Sequence, residues 1–284
     1  MPHYEKKEPF FKPLWDVITG GAQRKKVLYQ GDSRLHHITV SEEGGTRTLY
    51  LGAGSREAET SISVEDPDDC VFEYPGLMFL GLALTPKNKN ILMLGLGGGF
   101  IPNLFQKFLP DHNLTVVEVD PVVAELAGTY FGFKPGGNVK LEICDGLEYV
   151  ARSPDGHWDQ IWLDAFDGNY IPEHLATREF LALVKLKLQE EGLAMQNLHQ
   201  TAWARYNDQL INTTDLFGRM PLLFLGARCA NTVAASLNSE DLEPPSDVES
   251  VREAVRAYRL AIGPYDLLEE AGKLGKRPPH LLPF

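Results

Sequence analysis

From residue 91 onward, short apolar runs alternate with segments of helical length: Ile91 to Leu94, Leu114 to Val117, Val139 to Ile143, Gln160 to Leu163 and Leu193 to Gln196. This alternation constrains the fold more than any other feature. Strands alternating with helix-length segments signal a parallel sheet covered by helices. The expected class is α/β, with the sheet domain over residues 85–240.

The segments on either side read differently. Residues 1–84 contain the β-prone runs Lys26 to Tyr29, His37 to Val40 and Thr46 to Leu51, with a turn signal at Glu42-Glu43-Gly44-Gly45, and so predict a small antiparallel sheet. Asp66-Pro67-Asp68-Asp69 then predicts the cap of a helix reaching Leu84. Residues 241–284 form a tail, with a Pro-rich linker, a helix from Asp247 to about Ala261 and a Pro-rich end.

The strongest chemical signal is Leu94-Gly95-Leu96-Gly97-Gly98-Gly99, where the first apolar run ends and a helix through Phe105 can begin. Glycines there let the backbone turn sharply and approach a ligand, although a purely structural turn needs them too. The next strand ends in Glu118-Val119-Asp120, with Glu118 twenty-one positions after Gly97, where a carboxylate can accept hydrogen bonds from ribose hydroxyls. Two further acidic loops follow, Cys144-Asp145-Gly146 and Asp164-Ala165-Phe166-Asp167-Gly168. Ligands of open α/β sheets bind beyond the carboxyl ends of strands, so these loops are expected to converge on one crevice.

Composition excludes several other classes. The net charge of −12 argues against a broad phosphate-binding surface and therefore against nucleic acid, and favours a cationic or neutral acceptor. No apolar run is long enough for a membrane span, and the first residues lack a signal-peptide pattern, so a cytoplasmic protein is expected. Cys70, Cys144 and Cys229 fit neither a disulfide framework nor a zinc motif, and His36, His37, His174 and His199 match no ligand spacing. No metal is expected, and the cysteines read as small buried residues.

These motifs together resemble the spermidine synthases and spermidine-synthase-like methyltransferases over roughly residues 26–236. The resemblance is carried by Ser33-Arg34-Leu35-His36-His37-Ile38, the Gly95 to Gly99 loop, Val117-Glu118-Val119-Asp120, Asp145-Gly146, Asp164-Ala165-Phe166-Asp167 and Ile171 to Phe180. It implies a Rossmann-like, doubly wound, seven-stranded sheet of the S-adenosylmethionine-dependent methyltransferase type beside a small β-rich part. It further implies that Glu118 holds the ribose, that Asp145 and Gly146 meet the adenine edge, and that Gly95, Gly97 and Gly99 make room for the methionine-derived chain. Asp164 then orients and deprotonates an attacking amine, while Tyr74, Asp167 and His36 are further candidates for substrate contact. Phe166 and Trp162 are candidates for an apolar wall, with a core role equally open to Trp162. A homodimer is also implied.

The chain departs from the synthases where they hold amines. Gly98 replaces an aspartate, Leu35-His36 a Tyr-Gln pair and Glu59 a glutamine. Tyr74 is followed by Pro75, and Arg228 to Val233 lacks the family's tyrosine. Tyr130-Phe131-Gly132-Phe133 and a glycine-only loop resemble the methyltransferase branch, whereas the Asp164 and Asp167 pair resembles the aminopropyl-transferring enzymes. The expectation drawn from this balance is methyl transfer from S-adenosylmethionine to a small-molecule or peptide amine. Aminopropyl transfer from decarboxylated S-adenosylmethionine, as in polyamine synthesis, is the alternative. A non-catalytic nucleoside-binding protein stands third and a nicotinamide-dependent dehydrogenase fourth.

Overall fold

A computed structural model describes residues 25–52, 58–166, 171–200, 203–239, 241–258 and 262–275. Four strands, β1 (Lys26–Asp32), β2 (His37–Glu43), β3 (Thr46–Leu51) and β4 (Ala58–Ser63), form an antiparallel meander in sequence order. The β2–β3 hairpin closes on Gly44 and Gly45, both with positive φ (60° and 80°), as a tight two-residue turn matched to strand twist requires.

Seven more strands build the main sheet: β5 (Asn90–Leu94), β6 (Asn113–Glu118), β7 (Val139–Ile143), β8 (Trp158–Leu163), β9 (Leu188–His199), β10 (Leu222–Leu225) and β11 (Asn231–Asn238). Their spatial order is β10-β11-β9-β8-β5-β6-β7. The five strands from β5 to β9 run parallel, and β11 pairs antiparallel to both β9 and β10. All six residues of β8 are buried, Asp159 and Gln160 included, as a central strand covered on both faces requires. The chain leaves β5 toward β6 and β7, then returns to β8 on the other side of β5. That reversal opens a crevice at the carboxyl ends of β5 and β8.

The small sheet is fastened to the carboxyl edge of the large one by specific bonds. Ser33 Oγ donates to Asp120, Arg47 Nη1 donates to the Tyr130 carbonyl at 2.7 Å, and the Gly98 amide donates to Thr60 Oγ1 at 2.8 Å. The tail joins the same body. Val251 and Val255 of the helix Val248–Tyr258, with Leu267 and Ala271, pack into the core that also contains Leu49 and Phe105. Residues 273–275 bond to Leu223 and Leu225, covering the open edge of β10.

Two sequence expectations change. The helix foreseen from Asp66 begins only at Tyr74 and breaks into Tyr74–Phe79 and Gly81–Leu84, because Cys70 pairs with Ile62 and so draws the preceding segment onto the small sheet. The cysteines are partly rather than fully buried, and all three are free thiols. Within the tail, the helix ends at Tyr258, and residues 259–261 and the Pro-rich end lie outside the described residues.

Candidate active site

The crevice at the β5/β8 reversal is a cavity of about 680 Å³. Gly95, Gly97, Glu118, Asp145, Gly146, Asp164, Tyr74 and His36 all line it. Tyr74 begins a helix and His36 directly precedes β2, while the others stand at the ends of β5, β6, β7 and β8, brought together because each parallel strand ends at the same edge.

The glycine loop follows from steric demand. Gly95 has φ +95°, and a Cβ there would lie 2.3 Å from the Asp164 carbonyl oxygen, so only glycine lets the β5 and β8 ends come this close. Gly99 takes a different part: it caps the helix Phe100–Phe108 with φ +78° and does not line the cavity.

Glu118 is buried at the end of β6. Its two carboxylate oxygens accept from the Leu96 amide (3.0 Å) and the Asp120 amide (2.9 Å), which fixes the side chain against the glycine loop. Burial raises its pKa and these two bonds offset only part of that rise. Each oxygen retains a lone pair for a ligand hydroxyl. Asp120 caps the helix Pro121–Phe131 through Val122 and receives Ser33 and His36 Nδ1 (3.0 Å). Burial pushes its carboxyl upward, but the bonds from Ser33, His36 and Val122 outweigh it and leave the pKa lowered. His36 thus reaches the cavity wall already clasped by Asp120. Asp145 caps the helix Gly146–Arg152 through the Glu148 amide and holds His174 Nε2 at 2.9 Å.

Asp164 stands at the end of β8, midway along the sheet. Its carboxyl opens to the cavity yet is enclosed by protein, and this desolvation pushes its pKa up to about 7, against hydrogen bonds from Asn197 and Tyr74 that favour the charged form. Asn197 Nδ2 donates to Asp164 Oδ1 at 2.8 Å, and Asn231 Nδ2 donates to Asn197 Oδ1 at 2.9 Å. Burial, then the Asp164 charge, hold the Tyr74 phenol protonated well above its usual range. A carboxyl poised near neutrality, with two aligned donors, suits proton removal from an amine. Asp167 lies outside the described residues. Trp162 is fully buried between Phe79 and Phe105 and donates to Gln160, so it belongs to the core, whereas Phe166 lines the cavity.

Several lining residues were not singled out as site residues from sequence: Thr60, Asn197, Asn231 and Arg228. Asn197 had a visible signal, a polar residue directly after an apolar strand run that should have ended in the crevice. Asn231 and Arg228 reach it only through the antiparallel return of β11.

A profile of the spermine/spermidine synthase domain matches residues 74–215. A polyamine aminopropyltransferase of Vibrio vulnificus is 31% identical over 251 residues, covering 85% of this chain and 83% of that protein. The chain belongs to the spermine/spermidine synthase family. It is a transferase, and its fold agrees: a spermidine synthase crystallised with the transition-state analogue AdoDATO superposes with a TM-score of 0.72 at 19% identity, over 89% of this chain and 86% of that one.

Family membership corrects the expectation of methyl transfer from S-adenosylmethionine. A Drosophila pseudoobscura eEF1A lysine and N-terminal methyltransferase homologue is also 31% identical, but the match spans 64% of this chain and only 28% of that protein. The aminopropyltransferase match extends over most of both chains. The expectation rested on several missing amine-binding groups, the aspartate replaced by Gly98 among them, and on Tyr130-Phe131-Gly132-Phe133. Thr60 packs over Gly98, so a Cβ at 98 would lie 2.7 Å from Thr60 Cγ2, and an aspartate has no room there. Glu59, beside Thr60, lines the cavity. Among the described residues no helix is long and apolar enough to cross a membrane.

Proposed function

We propose that this transferase moves the aminopropyl group of decarboxylated S-adenosylmethionine to an aliphatic amine. The observation that carries the reading is Asp164, a carboxyl with a pKa near 7 between the glycine loop on one side and Asn197 on the other. Relatives named as polyamine aminopropyltransferases support the donor.

In this reading the ribose hydroxyls donate to Glu118, the adenine lies by Asp145 and Gly146 with Phe166 as an apolar wall, and His36 closes the nucleoside end. Gly95 and Gly97 leave space for the sulfonium and the three-carbon chain, whose ammonium the Glu59 carboxylate attracts. Asp164 takes one proton from the acceptor ammonium, with Tyr74 and Asn197 holding the carboxylate. The freed lone pair attacks the methylene beside sulfur. A new C–N bond forms as the C–S bond breaks, the electron pair returns to sulfur, and neutral methylthioadenosine leaves. The sulfonium is already a good leaving group, so alignment and electrostatics supply the catalysis and the step uses no metal.

Mass spectrometry after incubation with decarboxylated S-adenosylmethionine and a panel of amines tests this. Methylthioadenosine with an amine heavier by one aminopropyl group is the expected pair of products. Failure to bind or consume that donor, or release of S-adenosylhomocysteine when S-adenosylmethionine is supplied, overturns it.

A further inference from the structure

The sheet order divides the cavity. Glycine loop, Glu118 and Asp145 sit on the β5-β6-β7 side of Asp164, while Asn197, Asn231 and residues 226–230 sit on the β9-β11 side. The second side carries a cation. Arg228 lines the cavity there, and its side chain is 50% exposed.

This guanidinium is tethered rather than consumed by its counter-ion. Glu73, only 1% exposed, accepts from the Arg228 main-chain amide at 2.6 Å and from Lys273 Nζ at 3.0 Å, and Lys273 also reaches Glu270 at 2.7 Å. Arg228 adds a single long contact through Nε, at 3.4 Å, instead of a two-pronged pair. Among the described residues its terminal nitrogens Nη1 and Nη2 have no hydrogen-bond partner. A fork held by its inner edge, on a residue that lines the cavity and keeps half of its side chain exposed, can receive a carboxylate through two parallel bonds. A bare diamine would bring its distal ammonium to this guanidinium and be repelled. Val71, Phe72 and Ala230 line the same cavity and offer apolar surface to an alkyl chain.

We propose that the acceptor is an amine that also carries a carboxylate, a diamino acid in type, with its distal amine at Asp164 and its carboxylate on Arg228. This rests on the aminopropyl-transfer reading above. The transfer is the one already balanced there, and Arg228 takes part only in binding.

The test pairs each diamine with its carboxylated counterpart, putrescine with ornithine and cadaverine with lysine, after calorimetric titration with decarboxylated S-adenosylmethionine. The expected result is a higher kcat/KM for the amino acid of each pair in the wild type. The amino-acid-to-diamine ratio should fall about ten- to a hundredfold in Arg228→Gln and recover in part in Arg228→Lys, which keeps the charge without the fork. The main-chain bond to Glu73 survives both changes, and thermal unfolding checks that the variants fold. A wild-type preference for the diamines, or a ratio unchanged in Arg228→Gln, overturns the proposal; if that variant does not fold, the wild-type preference and Arg228→Lys decide. Donor binding with neither acceptor of a pair transferred overturns it alone, whereas absence of donor binding overturns the aminopropyl-transfer reading as well.

Discussion

Asn197 donates its side-chain amide to Asp164 at 2.8 Å while its own carbonyl is held by Asn231, so the orientation of the amide is fixed from behind. This bond favours the carboxylate form. Asn197→Leu should therefore raise the Asp164 pKa above its value of about 7 by roughly one to two units, as expected for a lost bond to a charged group. The alkaline displacement of the kcat/KM profile measures it. An unmoved profile would show that the asparagine does not govern the base.

The wild-type profile itself should rise with pH through about 7, since only the deprotonated Asp164 can accept a proton. The stability dependence has the opposite sense. The folded pKa lies above the ordinary carboxylate value of 3.8, so the folded state binds the proton more tightly. That contribution is complete below about pH 4 and is lost as pH rises through about 7. Asp164→Asn removes the effect. Denaturation midpoints of variant and wild type should diverge in favour of the variant from pH 4 to 7 and run parallel above.

Turnover in Asp164→Asn should drop by about 10²- to 10⁴-fold, the usual contribution of a general base, while calorimetry finds donor affinity close to wild type. Equal loss of both would move Asp164 from chemistry to architecture.

Glu118 has two duties that a pair of variants separates. Glu118→Ala removes the proposed ribose acceptor and also orphans the Leu96 and Asp120 amides, so donor affinity and stability should each fall by about 1.5–3 kcal/mol. Glu118→Gln keeps the volume and one acceptor, and should recover more stability than affinity. Calorimetry and urea denaturation on the same preparations give both quantities.

Gly95→Ala places a Cβ against the Asp164 and Ala165 main chain at a positive φ. The expected cost is about 2–4 kcal/mol, with turnover lost because the loop carrying Asp164 must move. A variant of wild-type stability and activity would show that the β5 and β8 ends are not in contact.

The sequence disclosed the parts of this fold that depend on local pattern. The apolar runs of β5 to β8 and the strained glycine turn are properties of consecutive residues, and Glu118 followed from the turn by spacing alone. What escaped depends on distant packing. The tight cover over Gly98 comes from Thr60, 38 residues earlier. The helix start was misplaced because Cys70 pairs with Ile62. Asn231 and Arg228 enter the site through an antiparallel register, and it is the family resemblance rather than the local pattern that sets residues 228–233 at the amine end.

The placement of Asp164 between the two halves of the cavity bears on how such a transferase can diversify. In the proposed reading, contacts to the nucleoside and contacts to the acceptor fall on different strands, joined at one carboxyl. Substitutions on the two flanks should therefore combine with little coupling in free energy. A lineage can redraw residues 226–231 for a new amine without relearning how to hold adenosine.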